Sequence, residues 1–154
     1  MYAPTSPTGV FLCHGCRALD RCRRGLLREA LTVDGTVVSD IVCPSDAEGG
    51  PNVAHGGWTA GILDELVGHA MILRDEFAVT GTLEVVFHKP MPVGLPLIGK
   101  ATIDRRDGRK AYVSARIELA SNGALLASTR AIMVKREADH FERHEQWLEG
   151  QVKS

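Results

Sequence analysis

Along this chain the spacing of apolar residues changes once, from helical to extended. Between about Gly57 and Asp75, the residues Leu63, Leu66, Val67, Ala70 and Met71 fall at i, i+3, i+4, i+7 and i+8. That spacing is the single stripe of an amphipathic helix. Beside the stripe runs a row of small residues, Gly57, Ala60, Gly61 and Gly68, interrupted by one carboxylate, Asp64. A row without bulk lets another backbone or a ligand approach the helix. A lone Asp on it has no evident structural purpose.

The segments around this helix read as strands. Thr36–Cys43 is β-branched and follows an Asp34-Gly35 turn, with Leu31-Thr32-Val33 as its expected hairpin partner. Residues 44–52, rich in Gly, Pro and Asp, read as a loop. After the helix come Val79–His88, a Pro-punctuated loop, Leu97–Asp104, an Asp107-Gly108 turn, Lys110–Leu119, a Ser121-Asn122-Gly123 turn and Ala124–Lys135. Lys110–Leu119 alternates polar and apolar, as a half-buried strand does. Asp139–Glu149 reads as a C-terminal helix, residues 1–10 as unstructured, and Cys13–Leu31 as irregular or partly helical. One long helix followed by four meandering antiparallel strands is an α+β order. The helix then buries its stripe on the concave face of a curved sheet. The uncovered edges and apolar area favour a dimer.

Composition narrows the picture further. Of 154 residues, 44% are hydrophobic and 24% charged, the size and balance of one ordinary globular domain. Aromatics make up only 5%, so aliphatic side chains must fill the core. A formal net charge of -1 gives no basic excess for nucleic-acid binding. No apolar run reaches the length of a membrane span. The first residues lack the plan of a secretory signal, so a cytoplasmic location is expected. Four cysteines, Cys13, Cys16, Cys22 and Cys43, include one C-x-x-C. Their irregular spacing favours reduced, non-ligating thiols over a zinc site, and no metal or cofactor is expected.

The order and spacing of several short motifs resemble the hotdog-fold acyl-CoA thioesterases of the phenylacetate-pathway (PaaI-like) branch. These are His55-Gly56-Gly57, Asp64 nine residues after the histidine, and Thr80 sixteen residues after Asp64. They continue with Phe87-His88-Lys89-Pro90-Met91-Pro92-Val93-Gly94 and Gly108-Arg109-Lys110-Ala111-Tyr112-Val113-Ser114. The resemblance covers about Gly50 to Lys135. It implies one long helix wrapped by a curved antiparallel sheet of five to six strands. It divides the chain into a Cys- and Arg-rich extension (1–30), a hotdog domain (31–137) and a helical tail (138–154). It also implies hydrolysis of an acyl-CoA thioester by a homodimer or a dimer of dimers.

A thioester carbonyl needs a clamp on its oxygen, a nucleophile, and a place for the carrier. Unsatisfied N–H groups and the positive end of the dipole at the helix start offer the clamp, with the Gly57 N–H as oxyanion donor. The resemblance makes Asp64 the base or nucleophile. Seven residues of helix place Asp64 roughly 10 Å along the axis from Gly57, too far to share one carbonyl within a subunit. Antiparallel helices in a dimer would bring Asp64 of one subunit opposite Gly57 of the other. Thr80 would position Asp64 or a water, Asn52 would orient the water, and His55 would orient the turn. Carrier phosphates need cations. Arg109 matches the family's nucleotide-binding position, with Lys110, Lys100, His88 and Lys89 as further candidates.

Three other readings stay open. A hydratase or dehydratase would pair Asp64 with His69, but five helical residues point these side chains some 140° apart. A non-catalytic acyl-CoA binder would keep the fold without the chemistry. A zinc-bearing interaction module would use the cysteines.

Overall fold

The computed structural model describes residues 5–153. Its central helix, α1 (Gly56–Ile72), lies against a six-stranded antiparallel sheet. The strands of that sheet are β1 (Leu26–Leu31), β2 (Val37–Val42), β5 (Ala78–Phe87), β6 (Pro96–Asp107), β7 (Lys110–Leu119) and β8 (Leu125–Lys135), in the spatial order β1-β2-β6-β7-β8-β5. A two-stranded ribbon, β3 (Glu48–Gly50) and β4 (Val53–Ala54), precedes α1, and α2 (His140–Val152) ends the chain.

The periodic stripe is the buried face of α1. Leu63, Leu66, Val67, Ala70 and Met71 are all fully buried. Opposite them, alternate residues of the sheet turn inward, with Ala111, Val113, Ala115 and Ile117 on β7 and Leu97, Gly99 and Ala101 on β6. Gly99 is small for a packing reason. A Cβ there would stand 2.8 Å from Leu66 Cδ1, so the helix seats directly on the strand. Burying a side chain such as Leu66 contributes about 1.5–3 kcal/mol.

Four expectations change. The strands after α1 do not form a simple meander. β6, β7 and β8 are successive hairpin partners, whereas β5 crosses to the far edge and pairs with β8. Leu26–Leu31, within the segment read as irregular or partly helical, is a full strand, and it rather than Leu31–Val33 is the partner of β2. Within residues 44–52, read as a loop, lie a short 3-10 turn (Ser45–Ala47) and β3. Residues 5–10 are ordered. Val10 is fully buried in the core, and Ser6 Oγ accepts the Val10 N–H at 3.2 Å. Local polarity misleads there because the segment folds back on its own serine. Residues 1–4 of that expectation lie outside the described residues.

The expected C-terminal helix is present, but none of its residues is buried. Phe141 meets Phe77 edge-on at 5.6 Å between ring centroids, which ties α2 to the start of β5.

Candidate functional site

The curved sheet brings both of its edge strands to α1. On one side Thr80 of β5 donates its hydroxyl hydrogen to Asp64 Oδ1 at 2.6 Å. On the other, Glu29 of β1 meets His69 Nδ1 at 2.5 Å.

The Thr80 side depends on a β-bulge. The register between β5 and β8 slips between Thr80 and Thr82, leaving Gly81 as the extra residue. In a regular strand Thr80 and Leu83 would face opposite sides. The bulge resets the alternation, so Thr80 and the half-buried Leu83 and Val85 all address α1. Asp64 emerges between Ala60 and Gly68, and no side chain there covers it. Thr80 is its one hydrogen-bond partner among the described residues, and Oδ2 carries none.

Glu65, the next residue, is turned away, as helical geometry requires. It faces His69 Nε2 at 3.4 Å and Arg24 Nε at 4.0 Å. Hydrogen bonding from His69 holds the Glu65 carboxyl below its usual range, although burial opposes this. For His69, burial alone would disfavour the charged ring. The hydrogen bonds of Glu29 and Glu65 outweigh it and push the imidazole up to about 9. His69 therefore belongs to a carboxylate clasp, not to a pair with Asp64.

At the start of α1, His55 is the cap residue, and its Nδ1 accepts the Gly57 N–H at 2.9 Å. His55 thus caps the turn, and in doing so it occupies the N–H assigned to the oxyanion. Beside this turn is a cavity of about 330 Å³ lined by Gly56, Thr59, Phe87, His88, Lys89 and Met91, among others. Phe87 borders Gly56 so closely that a Cβ there would lie 3.7 Å from its ring.

The remaining candidates separate. His88 and Lys89 share that cavity, and His88 Nε2 is 2.8 Å from Ser128 Oγ. Asn52 sits in the β3–β4 turn at a positive φ of 59°, a conformation asparagine tolerates. Its N–H bonds the Glu48 carboxylate and its carbonyl accepts the Val93 N–H at 3.1 Å. Lys100 faces away from α1, because its neighbours Gly99 and Ala101 face toward it, and its ammonium pairs with Glu118 at 3.0 Å. Gly108 and Arg109 form the β6–β7 turn and Lys110 opens β7, whose register (Lys110 with Val134, Val134 with Val79) sets this turn at the Thr80 end of β5. His88 and Lys89 lie at the other end of that strand. Arg109 has no ion pair among the described residues.

Two contributors escaped the sequence reading, Gly81 and Glu29, and Phe87 was read only as part of a motif, without a place beside Gly56. A glycine inside a strand pattern is a known bulge signal and could have revealed the first. Glu29 lies beside Arg28 in a segment read as irregular or partly helical, so nothing local signals its burial. Among the described residues, no group of three or more His, Cys, Asp or Glu side chains is arranged to hold a metal. No helix is long and apolar enough to cross a membrane.

One helix seated in a six-stranded antiparallel sheet, with a carboxylate on its open face, defines a hotdog fold. Residues 51–125 match the model of the thioesterase superfamily, in keeping with the thioesterase resemblance of the sequence. Over 88 residues the chain is 27% identical to acyl-coenzyme A thioesterase THEM4 of Xenopus laevis, covering 57% of this chain and 40% of that protein. The chain thus spans less than half the length of this curated relative. Among solved structures, a thioesterase superfamily protein aligns with a TM-score of 0.64 at 27% identity, covering 69% of this chain and 52% of the other. The Escherichia coli PaaI protein of the phenylacetic acid degradation operon aligns at 0.62 with 17% identity, covering 67% and 74%.

Proposed function

We propose that the protein hydrolyses an acyl-CoA thioester to a free acid and coenzyme A, with Asp64 as its catalytic carboxylate. The observation that carries this reading is the 2.6 Å bond from Thr80 to Asp64 Oδ1 on the small-residue face. It fixes the carboxylate and leaves Oδ2 to accept a proton from water or to attack the thioester itself. In the water route, hydroxide adds to the carbonyl carbon while Asp64 holds the proton. The tetrahedral intermediate then collapses, the C–S bond breaks, and the proton passes to the departing thiolate. The match to the superfamily and the activity named for the THEM4 relative support the same chemistry.

The site is completed by a second copy. β5 is an edge strand of ten residues that exposes Val86 and Phe87, a suitable template for antiparallel pairing across a two-fold axis. Such pairing would run the two α1 helices antiparallel and set the Gly57 N–H of one subunit opposite Asp64 of the other. For Gly57 to serve as the oxyanion donor, the His55 ring must yield or share its N–H. Arg109, with no carboxylate partner among the described residues, is the cation best able to take a coenzyme A phosphate. Asn52 would orient the attacking water, and Lys110, Lys100, His88 and Lys89 are secondary carrier contacts.

The 2.9 Å bond from Gly57 to His55 favours a second reading, an acyl-CoA binder whose clamp stays closed. Hydrolysis of an acyl-CoA panel by wild type and Asp64→Asn, followed as loss of thioester absorbance, separates the two. Asp64-dependent turnover on any member is the expected result. Coenzyme A binding by a folded dimer with no turnover on the whole panel would favour the binder.

A further inference from the structure

Three cysteines and two arginines crowd a small space beside α1, and the chemistry proposed above uses none of them. Cys13 precedes a 3-10 turn, His14–Leu19, and the Cys16 N–H donates to the Cys13 carbonyl at 3.0 Å. In 3-10 geometry side chains at i and i+3 eclipse one another. The C-x-x-C spacing therefore becomes a contact, with the two sulfurs 3.5 Å apart. Gly15, between them, leaves room for Arg23, whose guanidinium would stand 3.0 Å from a Cβ at that position. The Arg23 backbone N–H donates to Cys16 Sγ at 3.4 Å, which holds that sulfur in place.

The pair joins one reachable thiol to one protected thiol, since Cys13 is exposed and Cys16 buried. The cavity they share with Cys22, Arg24 and Glu65 measures about 10 Å³, too small for an organic ligand. Cys43 is a contrast within the same chain. It is buried, contacts the Pro44 carbonyl, and is pushed up to about 11 by burial and by Asp46, so it remains an inert thiol.

We propose that Cys13 and Cys16 are a redox-active dithiol that closes reversibly to a disulfide on meeting a low-molecular-weight disulfide. The Cys13 thiolate attacks one sulfur of the small disulfide. A mixed disulfide forms, and the first small thiolate leaves and takes up a proton. Cys16 then gives up its proton and attacks the Cys13 sulfur, forming the internal bond and releasing the second small thiol. Two protein thiols lose two electrons, and one small disulfide becomes two thiols. Partial burial of its sulfur, reinforced by Cys16, raises the Cys13 thiol above its usual range, so the first step quickens as pH rises. Arg24 and Glu65 line the same cavity, which places the dithiol against α1 one residue from Asp64.

The test uses the full chain with oxidised and reduced glutathione at graded ratios. Acid quenching, alkylation of remaining thiols and peptide mass mapping follow. Two of the four thiols should become unavailable and return on reduction, and the linked peptide should join Cys13 to Cys16. Cys16→Ser should stop at a glutathione adduct on Cys13, and Cys22→Ser should leave the pair's oxidation unchanged. The proposal is overturned by four alkylatable thiols at every ratio, by a persistent glutathione adduct on wild-type Cys13, or by a Cys13–Cys22 link. Zinc held by these thiols in the native mass spectrum would overturn it equally.

Discussion

Asp64 and Glu65 are neighbours in the chain, yet α1 turns them about 100° apart into opposite surroundings. Glu65 is enclosed. His69 and Arg24 satisfy it, and His69 is in turn held by the fully buried carboxylate of Glu29, which also accepts the Ser39 hydroxyl at 3.3 Å. Asp64 has one hydroxyl donor, and its other neighbours are small. A carboxylate with a cationic partner at each oxygen fixes structure. One that is anchored at a single oxygen keeps the other for chemistry. The two edges of one sheet thus treat the same helix differently. The β1 edge locks it, and the β5 edge presents it.

The sharpest way to break this comparison is to exchange the two carboxylates' fates. Asp64→Asn keeps the shape and can still accept from Thr80, but it removes the base. Turnover of the best acyl-CoA should fall by about 10²–10⁴-fold, the range for a positioned general base, with the melting temperature unchanged. Glu65→Gln should do the reverse, lowering the melting temperature while leaving kcat within a few-fold. If the Asn variant stays active and the Gln variant dies, the roles assigned to the two carboxylates are wrong.

The locked side should fail by unfolding. His69→Leu strands Glu29 in the interior without its cation, at a cost of about 3 kcal/mol, readable as a shift in the denaturation midpoint. Titration sharpens the same point. The His69 imidazole stands near 9 in the folded protein against an ordinary 6.5. The folded state therefore holds a proton that the unfolded state loses. Its stabilisation is complete below about pH 6.5 and drains away as the pH rises to about 9, a change on the order of 3 kcal/mol at most. Wild type should lose stability over that window, and His69→Gln should lose far less. A wild-type midpoint that holds constant or rises across it would mean that His69 folds uncharged.

Thr80→Val, of nearly the same shape, tests the presenting side more gently. It removes one hydrogen bond to a charged group, about 1.5 kcal/mol, so kcat should drop about ten-fold without unfolding. Serine at the same position should restore most of the activity.

The helix, its buried stripe and the β7 strand were legible in the sequence because local spacing specifies them, whereas Asp64 stood out as the lone carboxylate on a small-residue row and Thr80 came only with the family resemblance. What was not legible depended on partners distant in the chain. The placement of β5 beside β8 is decided by closure of the sheet around α1, not by any residue in β5. Glu29 and His69 are 40 positions apart, and neither has a pattern that announces the other. Val10 lies in a polar stretch, and its burial follows from a fold-back made by Ser6. His55 was read as orienting the turn. That this occupies the Gly57 N–H required coordinates.

The smallest expected effect separates two arginines of one hairpin. Arg106 is engaged, its Nη1 and Nη2 each donating to Glu76 at 2.7 Å, and Lys135 approaches the same carboxylate at 3.2 Å. Arg109 extends from the turn with no such partner among the described residues. If the carrier's phosphates dock at this end of the sheet, Arg109→Ala should raise KM for acyl-CoA about three- to ten-fold, with kcat and melting temperature unchanged. Arg106→Ala should leave KM alone and lower stability by no more than about 1 kcal/mol, because that pair is substantially exposed to solvent. A KM that responds to Arg106 and ignores Arg109 would move the carrier site to the α1–β5 connection, where Glu76 lies. A KM indifferent to both would send the search to the other end of β5, where His88 and Lys89 line the cavity beside Gly56.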